Sequence, residues 1–407
     1  MGLKCKFLAV FVLMHFTGLN GVFPLIMGTI RLALALAVVL AHTHEPTILP
    51  LVASNVAVQV FFIISGFYMA VILNEKYTGP DSYRLFISNR FLRLYPVYFI
   101  VLAGTILICL SFGFFTGDAL GLQTWKNYAR STDTLGLWFV GLTHLTIIGQ
   151  DVVVFLGRAS DGAFYFTSNF AQSASPQVHQ FLVIPQAWAM SLELCFYLLA
   201  PFLVRRHLGV IALIVGLCFA LKIVLFQVYH LHNDPWTYRF FPTELGLFLI
   251  GSCAYRAYEM FKSRLPKNKF AVGAWLALLA STLLYRALPA METHGYSLRK
   301  TGYMVLAIVA LPFAFQCSKH WKLDRMLGEL SYPLYICHMA VIWVTKYVMS
   351  ATPASDGLLT FFVLFFSLAW AYGLVIWVMQ PVERFRQKRF IRHYAESDAN
   401  KSLNAAA

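Results

Sequence analysis

Two ionisable residues in the first long apolar segment, Arg31 and His42, have the clearest potential for chemistry. They are eleven residues apart. In a helix this is about three turns, so they share one face and lie roughly 16 Å apart along the axis. An ionisable side chain in a bilayer costs on the order of 2.5–3.5 kcal/mol, so each is a functional candidate. The alternative is that Arg31 anchors one end of the helix at the membrane surface and His42 caps the other.

A pair of arginines, Arg90 and Arg93, precedes the third apolar segment in the sequence SNRFLRLYP. At a spacing of three they share a helical face at the membrane surface. Two neighbouring guanidinium groups suit the bidentate binding of phosphate groups. The alternative is that both are flanking charges that orient the chain in the membrane.

A carboxylate, Glu193, lies within another apolar segment and shares a helical face with Tyr197, four residues further on. A carboxylate in this position must be protonated, paired or in contact with water. The alternative to a functional role is a structural ion pair with a buried arginine. Glu244 is a second carboxylate of this kind, and we expect Arg239 to be its partner.

A polar stripe is formed by Ser331, Tyr335 and His338 at positions i, i+4 and i+7 of a further apolar segment. It is either part of a functional site or a hydrogen-bonded packing stripe. Ser65 and Gly66 lie inside the second apolar segment, where small residues indicate close packing of helices.

The amino-acid composition indicates which kind of secondary structure must hold these residues in position. Of the 407 residues, 59% are hydrophobic and only 12% are charged, and the mean hydropathy is +0.66. A soluble domain could not bury so much apolar surface behind so few charges. Apolar runs of about 20 residues, long enough to cross a bilayer, recur along the chain. The sequence therefore predicts an all-α polytopic membrane protein.

We predict a core of about ten transmembrane helices, at residues 30–44, 53–73, 95–116, 186–204, 208–228, 239–256, 270–288, 302–317, 330–350 and 357–380. The loops at 74–93, 205–207, 256–269 and 317–325 and the tail from 381 hold twenty of the 32 basic residues. Basic loops stay on the cytoplasmic side, so both ends of the core are predicted to be cytoplasmic.

The net charge of +14 does not indicate a nucleic-acid partner, because the basic residues lie in alternate loops between apolar segments. The seven cysteines lie singly, with no C-x-x-C pair and no histidine at metal-ligand spacing. We therefore expect neither a disulfide framework nor a metal site, and we interpret the cysteines as small buried apolar residues.

Three parts of the chain lie outside the predicted core helices. Residues 1–27 form an apolar extension, which is either a leader or an extra helix. Residues 117–185 form a long external loop, whose apolar patch at 135–157 is expected to be a re-entrant or interfacial pair of short helices. Residues 386–407 form a basic, then polar, cytoplasmic tail, which leaves 28–385 as the transmembrane domain.

The motifs together resemble those of membrane-bound acyltransferase family 3, whose members O-acylate carbohydrates and other hydroxyl acceptors using acyl-coenzyme A. The resemblance covers about residues 28 to 385, and the motifs occur in the family's order. They are R-x10-H (Arg31, His42), F-F-x-x-S-G-F (Phe61, Phe62, Ser65, Gly66, Phe67), R-x-x-R-L-Y-P (Arg90, Arg93, Tyr95, Pro96), W-x-x-S-x-E-x-x-F-Y (Trp188, Ser191, Glu193, Tyr197) and S-Y-P-L-Y-x-x-H (Ser331, Tyr335, His338).

The resemblance implies a role for each motif residue. His42 would be catalytic, either as a general base that deprotonates the acceptor hydroxyl or as a nucleophile that carries the acyl group. Arg31 would face the donor phosphates or the charge that develops on the thioester. Arg90 and Arg93 would bind coenzyme A, and Glu193 would assist catalysis. The supporting residues would be Ser65, Tyr95, Trp188, Ser331, Tyr335 and His338.

The activity implied is that of an integral-membrane O-acyltransferase in a bacterial-type inner, or plasma, membrane. It would transfer an acyl group, with acetyl as the expected one, from acyl-coenzyme A to a hydroxyl of an envelope or exported carbohydrate. Acyl-coenzyme A would be a donor substrate, with no tightly bound cofactor and no metal. The alternative is a transporter or flippase for a small solute or lipid-linked sugar, with the intramembrane charges lining its path. Consumption of acyl-coenzyme A distinguishes the two.

Overall fold

The computed structural model describes residues 27–43, 50–79, 82–263, 269–290, 292–293, 296–318, 321–350 and 355–406. The predicted N-terminal extension, apart from Met27, lies outside the described residues. The helices are α1 (Gly28–Thr43), α2 (Ser54–Glu75), α3 (Ser82–Thr116), α4 (Gln123–Tyr128), α5 (Thr134–Thr146), α6 (Trp188–Leu203), α7 (Leu208–Gln227), α8 (Phe241–Phe261), α9 (Lys269–Leu283), α10 (Leu298–Ser318), α11 (Lys322–Met349), α12 (Asp356–Leu374) and α13 (Gln380–Ala406). Two short hairpins, β1 (Leu156–Arg158) with β2 (Phe164–Phe166) and β3 (Glu292–Thr293) with β4 (Tyr296–Ser297), are antiparallel.

Every predicted core segment contains a helix in the described part of the chain. Seven stretches of that part are long and apolar enough to cross a membrane, namely Ser54–Glu75, Ser82–Thr116, Pro185–Leu203, Leu208–Gln227, Leu298–Ser318, Lys322–Met349 and Asp356–Tyr394. The helices α1 and α9 are apolar but shorter. In α7 only Ile211 and Cys218 are buried, so most of its apolar surface suits contact with lipid. The protein is an all-α polytopic membrane protein.

Helix α3 extends beyond the N-terminal end of the predicted span. It runs without interruption for 35 residues, with Pro96 inside it, whereas the predicted span begins at residue 95. Arg90 and Arg93 therefore belong to the spanning helix itself. A helix of this length measures roughly 50 Å and exceeds the hydrocarbon thickness of a bilayer, so one of its ends extends beyond it.

The helices at the centre of the bundle approach each other closely through glycine. A Cβ atom on Gly66 of α2 would lie 1.8 Å from the carbonyl oxygen of Phe248 in α8. A Cβ on Gly251 of α8 would lie 1.9 Å from the carbonyl oxygen of Ile63. The Ser252 hydroxyl donates a hydrogen bond to the Gly66 carbonyl at 3.1 Å. The backbones of α2 and α8 therefore touch, as the small residues in this segment predicted.

Replacing Gly66 by alanine is expected to lower the thermal stability of the detergent-solubilised protein. The new Cβ would meet backbone atoms, which cannot move aside as a flexible side chain can. Overpacking of this kind typically costs about 1–3 kcal/mol. The midpoint of thermal aggregation, followed by size-exclusion chromatography, measures the loss. Gly273→Ala is the matched control, because a Cβ on Gly273 of α9 meets nothing within 4 Å. An equal midpoint for both variants would contradict the close approach.

Helix α1 is fixed at its first residues by α11. The buried carboxylate of Asp324 accepts hydrogen bonds from the backbone N–H groups of Gly28 and Thr29, both at 2.8 Å. The Thr29 hydroxyl donates to the same carboxylate at 2.6 Å. A negative charge at a helix N-terminus satisfies unpaired N–H groups and interacts favourably with the helix dipole. This contact fixes the position of α1, and with it that of Arg31 and His42, relative to α11.

The apolar patch of the long segment between α3 and α6 forms one α-helix, followed by a short 3₁₀ turn and the first strand of a hairpin, where a pair of short helices was expected. The apolar patch folds into α5, one 3₁₀ turn (Val152–Phe155) and strand β1. Ile147 and Gly149 take positive φ angles of 62° and 93° where α5 ends. Three successive valines at 152–154 then disfavour a second helix, because β-branched side chains crowd the preceding turn.

Candidate functional site

A large cavity lined by basic residues opens between α1, α2, α3, α6, α11, the π-helical turn Val375–Met379 and the start of α13. It encloses about 1770 Å³ of empty space, including its open mouth. We call it the arginine cavity. Its charged lining residues are five basic side chains and three carboxylates, namely Arg31, Lys76, Arg90, Arg93, Arg386, Glu193, Glu329 and Glu383. The excess of positive charge suits an anionic ligand.

The two sequence-predicted arginines lie together on the wall of this cavity. The Arg90 side chain is 5% exposed, and its Nε atom has no hydrogen-bond partner among the described residues. Its guanidinium lies 5.9 Å from the centre of the Tyr197 ring, and that of Arg31 lies 5.9 Å from the Tyr68 ring. A buried guanidinium with an unused donor is suited to a ligand phosphate.

Glu193 is held by two hydroxyl groups at the same wall. Ser65 of α2 donates to Glu193 Oε1 at 2.8 Å, and the hydroxyl of Tyr197, one turn further along α6, donates to the same oxygen. No arginine forms an ion pair with Glu193 among the described residues. The structure thus joins Ser65, Glu193 and Tyr197 in one network, with Glu193 bonded to hydroxyl groups and not to an arginine.

The start of the predicted tail also contributes to the arginine cavity, which the sequence analysis did not anticipate. Arg386 of α13 is 7% exposed, lines the cavity and pairs with the Glu383 carboxylate. Arg389, three residues further, donates to the Ser88 hydroxyl of α3 at 3.2 Å and holds α13 against that helix. The sequence feature that could have indicated this role is the spacing of three between Glu383, Arg386 and Arg389, which makes successive members neighbours on the helix surface.

A second cavity, which we call the histidine cavity, lies around the other end of α1 and encloses about 1330 Å³ of empty space. His42 lines it and stands beside His338 of α11, with ring centres 5.2 Å apart. The polar and aromatic lining residues include Asn55, His179, Gln180, Gln186, Trp188, Tyr238, Arg239, Tyr335 and Trp343. Imidazoles, amides and aromatic rings suit a neutral polar ligand.

The hydrogen bonds of the two imidazoles determine which nitrogen is free. His42 Nδ1 lies 2.8 Å from the Val38 carbonyl oxygen, and His338 Nδ1 lies 2.7 Å from the Tyr335 carbonyl oxygen. A carbonyl oxygen only accepts, so each Nδ1 carries the hydrogen and each Nε2 keeps its lone pair in the neutral ring. His338 is fully buried, and its Nε2 has no partner among the described residues. The Nε2 atom of His42 is thereby set up as a base or nucleophile.

Arg239 forms part of the wall of the histidine cavity, and its expected pairing with Glu244 is wrong. Its guanidinium lies 4.4 Å from the centre of the Trp188 ring and forms an ion pair with Asp234 at 2.7 Å. Glu244 instead pairs with Lys222 of α7 at 2.6 Å. The physical reason is that Glu244 lies in the first turn of α8, which packs against α7, whereas Arg239 lies in the preceding turn of chain.

The histidine cavity also contains His179, which precedes α6. Burial and the nearby positive charge of Arg239 lower the pKa of His179 to about 4, against the opposing effect of Asp234. The ring is therefore neutral at physiological pH and can act as a hydrogen-bonding group without carrying charge. Its Nδ1 atom is buried and has no partner among the described residues.

The remaining sequence-predicted residues occupy different places. Trp188 lines the histidine cavity and Ser331 lines the arginine cavity. Tyr335 lines both, and its hydroxyl donates to the Gln186 carbonyl at 2.9 Å. Tyr95 lines neither, and its hydroxyl donates to the Thr146 carbonyl at the end of α5. Within the described ranges, no group of three or more His, Cys, Asp or Glu side chains is placed to hold a metal ion.

The bundle and its two cavities define a polytopic membrane protein with a polar site inside the helices. A family model described as an acyltransferase domain, that of acyltransferase family 3, matches residues 27–377. The chain belongs to this family, and it is a membrane acyltransferase. This places it among enzymes. The matched region ends before Arg386, so that residue lies beyond the part described by the family model.

The chain is similar to an uncharacterized protein of Aquifex aeolicus strain VF5, with 22% identity over 210 residues. The matched region covers 50% of this chain and 89% of that relative. No solved structure matches the chain.

Proposed function

We propose that the protein transfers an acyl group, in the simplest case acetyl, from acyl-coenzyme A to a hydroxyl of an envelope or exported carbohydrate. The observation that carries the proposal is the arrangement of the two cavities, one cationic and one polar and aromatic, at opposite ends of the helix that bears Arg31 and His42. The enzyme would lie in a bacterial-type inner membrane, with both ends of its ten-helix core on the cytoplasmic side. The basic loops support this orientation.

The arginine cavity supports a coenzyme A donor. Coenzyme A carries a diphosphate and a further phosphate at one end, and the thioester at the other. Arg90 and Arg93 offer planar, bidentate donors to phosphate, and Arg386 would add a third guanidinium. Arg31 would stabilise negative charge nearer to the thioester. Apolar residues between these groups, such as Ile72 and Met190, would pack against the arm of the coenzyme.

The histidine cavity supports a sugar acceptor. Sugars present apolar C–H faces that pack on aromatic rings and a rim of hydroxyls that hydrogen-bond to amides. Trp188 and Trp343 supply the rings, and Asn55 and Gln180 supply the amides. A concave site with a few placed polar groups is typical of selective binding to a small polar molecule.

The proposed reaction uses the free Nε2 lone pair of His42. Nε2 takes the proton of the acceptor hydroxyl, whose oxygen attacks the thioester carbonyl carbon. The C–S bond breaks, and the coenzyme A sulfur leaves with the proton that His42 returns. The same lone pair serves a two-step route in which Nε2 first accepts the acyl group and then passes it to the hydroxyl. Both routes yield the ester and free coenzyme A.

The test is to follow the acyl group itself. Membranes containing the protein are supplied with radiolabelled acetyl-coenzyme A and envelope saccharide, and both coenzyme A release and labelled product are measured. The proposal requires label in the saccharide, removable by mild alkali as an ester, in amounts equal to the coenzyme A released. Membranes without the protein are the control. Protein that forms no labelled ester with any saccharide fraction, while coenzyme A stays acylated, would overturn the proposal.

A further inference from the structure

The arginine cavity and the histidine cavity adjoin each other at two side chains. Among the described residues, only Val58 of α2 and Tyr335 of α11 line both. Arg31 and the arginine pair of α3 line only the first cavity, and His42 lines only the second. A group delivered directly from the arginines to the imidazole would pass these two side chains.

Both side chains are held firmly in place. Val58 is 4% exposed and Tyr335 is 8% exposed. The Tyr335 hydroxyl donates to the Gln186 carbonyl at 2.9 Å, which fixes the ring against the segment before α6. The same ring stands 6.0 Å from the ring of His338, which in turn lies against His42. The two side chains that line both cavities are therefore packed groups with fixed positions in the fold.

We propose that Val58 and Tyr335 form an aperture that sets the length of the acyl group that can reach His42. The inference rests on the proposed function, because it requires an acyl-coenzyme A donor in the arginine cavity. A short acyl group needs little space between the two side chains. Each further methylene must fit between the Val58 methyl groups and the Tyr335 ring, and a packed interior does not tolerate added volume without strain.

The experiment compares acetyl-, propionyl-, butyryl- and hexanoyl-coenzyme A as donors, with kcat/KM measured for each. Val58→Ala removes two methyl groups from the aperture. It is expected to raise the butyryl-to-acetyl ratio by roughly tenfold or more, because one methylene in a closely fitting site is worth about 10–200-fold in discrimination. Val58→Leu narrows the aperture and is expected to lower the same ratio.

Val60→Ala is the matched control. Val60 lies on the same helix, is 1% exposed and lines neither cavity, so the loss of packing is comparable while the aperture is untouched. Tyr335→Phe tests the other border, since it keeps the ring and removes the hydrogen bond to Gln186. The freed ring is expected to raise the butyryl-to-acetyl ratio as well.

The outcomes separate the aperture from the function on which it depends. One outcome is that wild type transfers acetyl while both Val58 variants show the same butyryl-to-acetyl ratio as wild type and Val60→Ala. In that case the proposed aperture is wrong and the proposed function is retained. Opposite shifts in the alanine and leucine variants, with an unchanged ratio in the control, support the aperture. If wild type transfers no acyl group of any length, the proposed function fails and the aperture fails with it.

Discussion

His42→Ala is expected to abolish acyl transfer in detergent or in membranes. His42 is the residue of the histidine cavity whose Nε2 lone pair is set free by the bond from Nδ1 to Val38. General acid–base catalysis by one placed group is worth about 10²–10⁴-fold, and loss of a nucleophile costs at least as much. The measurement is kcat for ester formation from radiolabelled acetyl-coenzyme A at saturating donor and acceptor.

His207→Ala is the control for this variant. His207 is exposed before α7, where its side chain accepts a hydrogen bond from the Gly209 N–H, and it lines neither cavity. It should keep kcat within about twofold of wild type. Both variants should elute from size-exclusion chromatography as wild type does, because neither substitution adds volume to the contacts between helices. A His42→Ala protein with wild-type kcat would remove this imidazole from the reaction.

Arg90→Gln and Arg93→Gln are expected to weaken donor binding with a smaller effect on kcat. Each substitution removes a charge-assisted hydrogen bond to a phosphate, worth about 1.5–3 kcal/mol. At 1.4 kcal/mol for a factor of ten, the KM for acetyl-coenzyme A should rise roughly 10-fold to 100-fold. The measurement is initial rate against donor concentration at saturating acceptor, and the rise should diminish at high ionic strength, which weakens wild-type binding as well.

Arg84→Gln provides the matched comparison for the arginine pair. Arg84 lies on the same helix, is exposed and lines neither cavity, so the variant loses the same charge from α3 without touching the site. Its KM should stay within about twofold of wild type. A KM that rises equally in all three variants would show that these charges act through long-range electrostatics or through insertion of the protein into the membrane. Arg90 and Arg93 would then not be ligands of the donor.

The sequence predicted the helices and the relations that lie within one helix. Each of the ten predicted apolar segments contains a helix in the described part of the chain, and seven stretches there are long and apolar enough to cross a membrane. The i, i+4 spacing of Glu193 and Tyr197 correctly indicated that the two side chains meet on one face of α6. Such relations follow from helical geometry alone. For α3 the sequence predicted only the membrane span from residue 95, with Arg90 and Arg93 on a helical face before it, and the structure continues this helix back to Ser82.

Contacts between side chains of different helices could not be predicted from the sequence. The pairing of Glu244 with Lys222 depends on which face of α8 meets α7, and the role of Arg386 depends on where α13 folds back against α3. The contact between His42 and His338 joins residues almost 300 positions apart. Spacing carries no information on such contacts, since they arise from tertiary packing.

The bonds from Asp324 to the start of α1 have a consequence for how the enzyme moves. Asp324 ties the first turn of α1 to α11, while the far end of α1 meets His338 of that same helix. The two helices are thus joined at both ends and form one rigid unit. This unit carries both the proposed base, His42, and Tyr335, which borders the proposed aperture. Any helix movement that accompanies substrate entry or product release is therefore expected in the other helices, while His42 and Tyr335 keep their relative positions during a turnover.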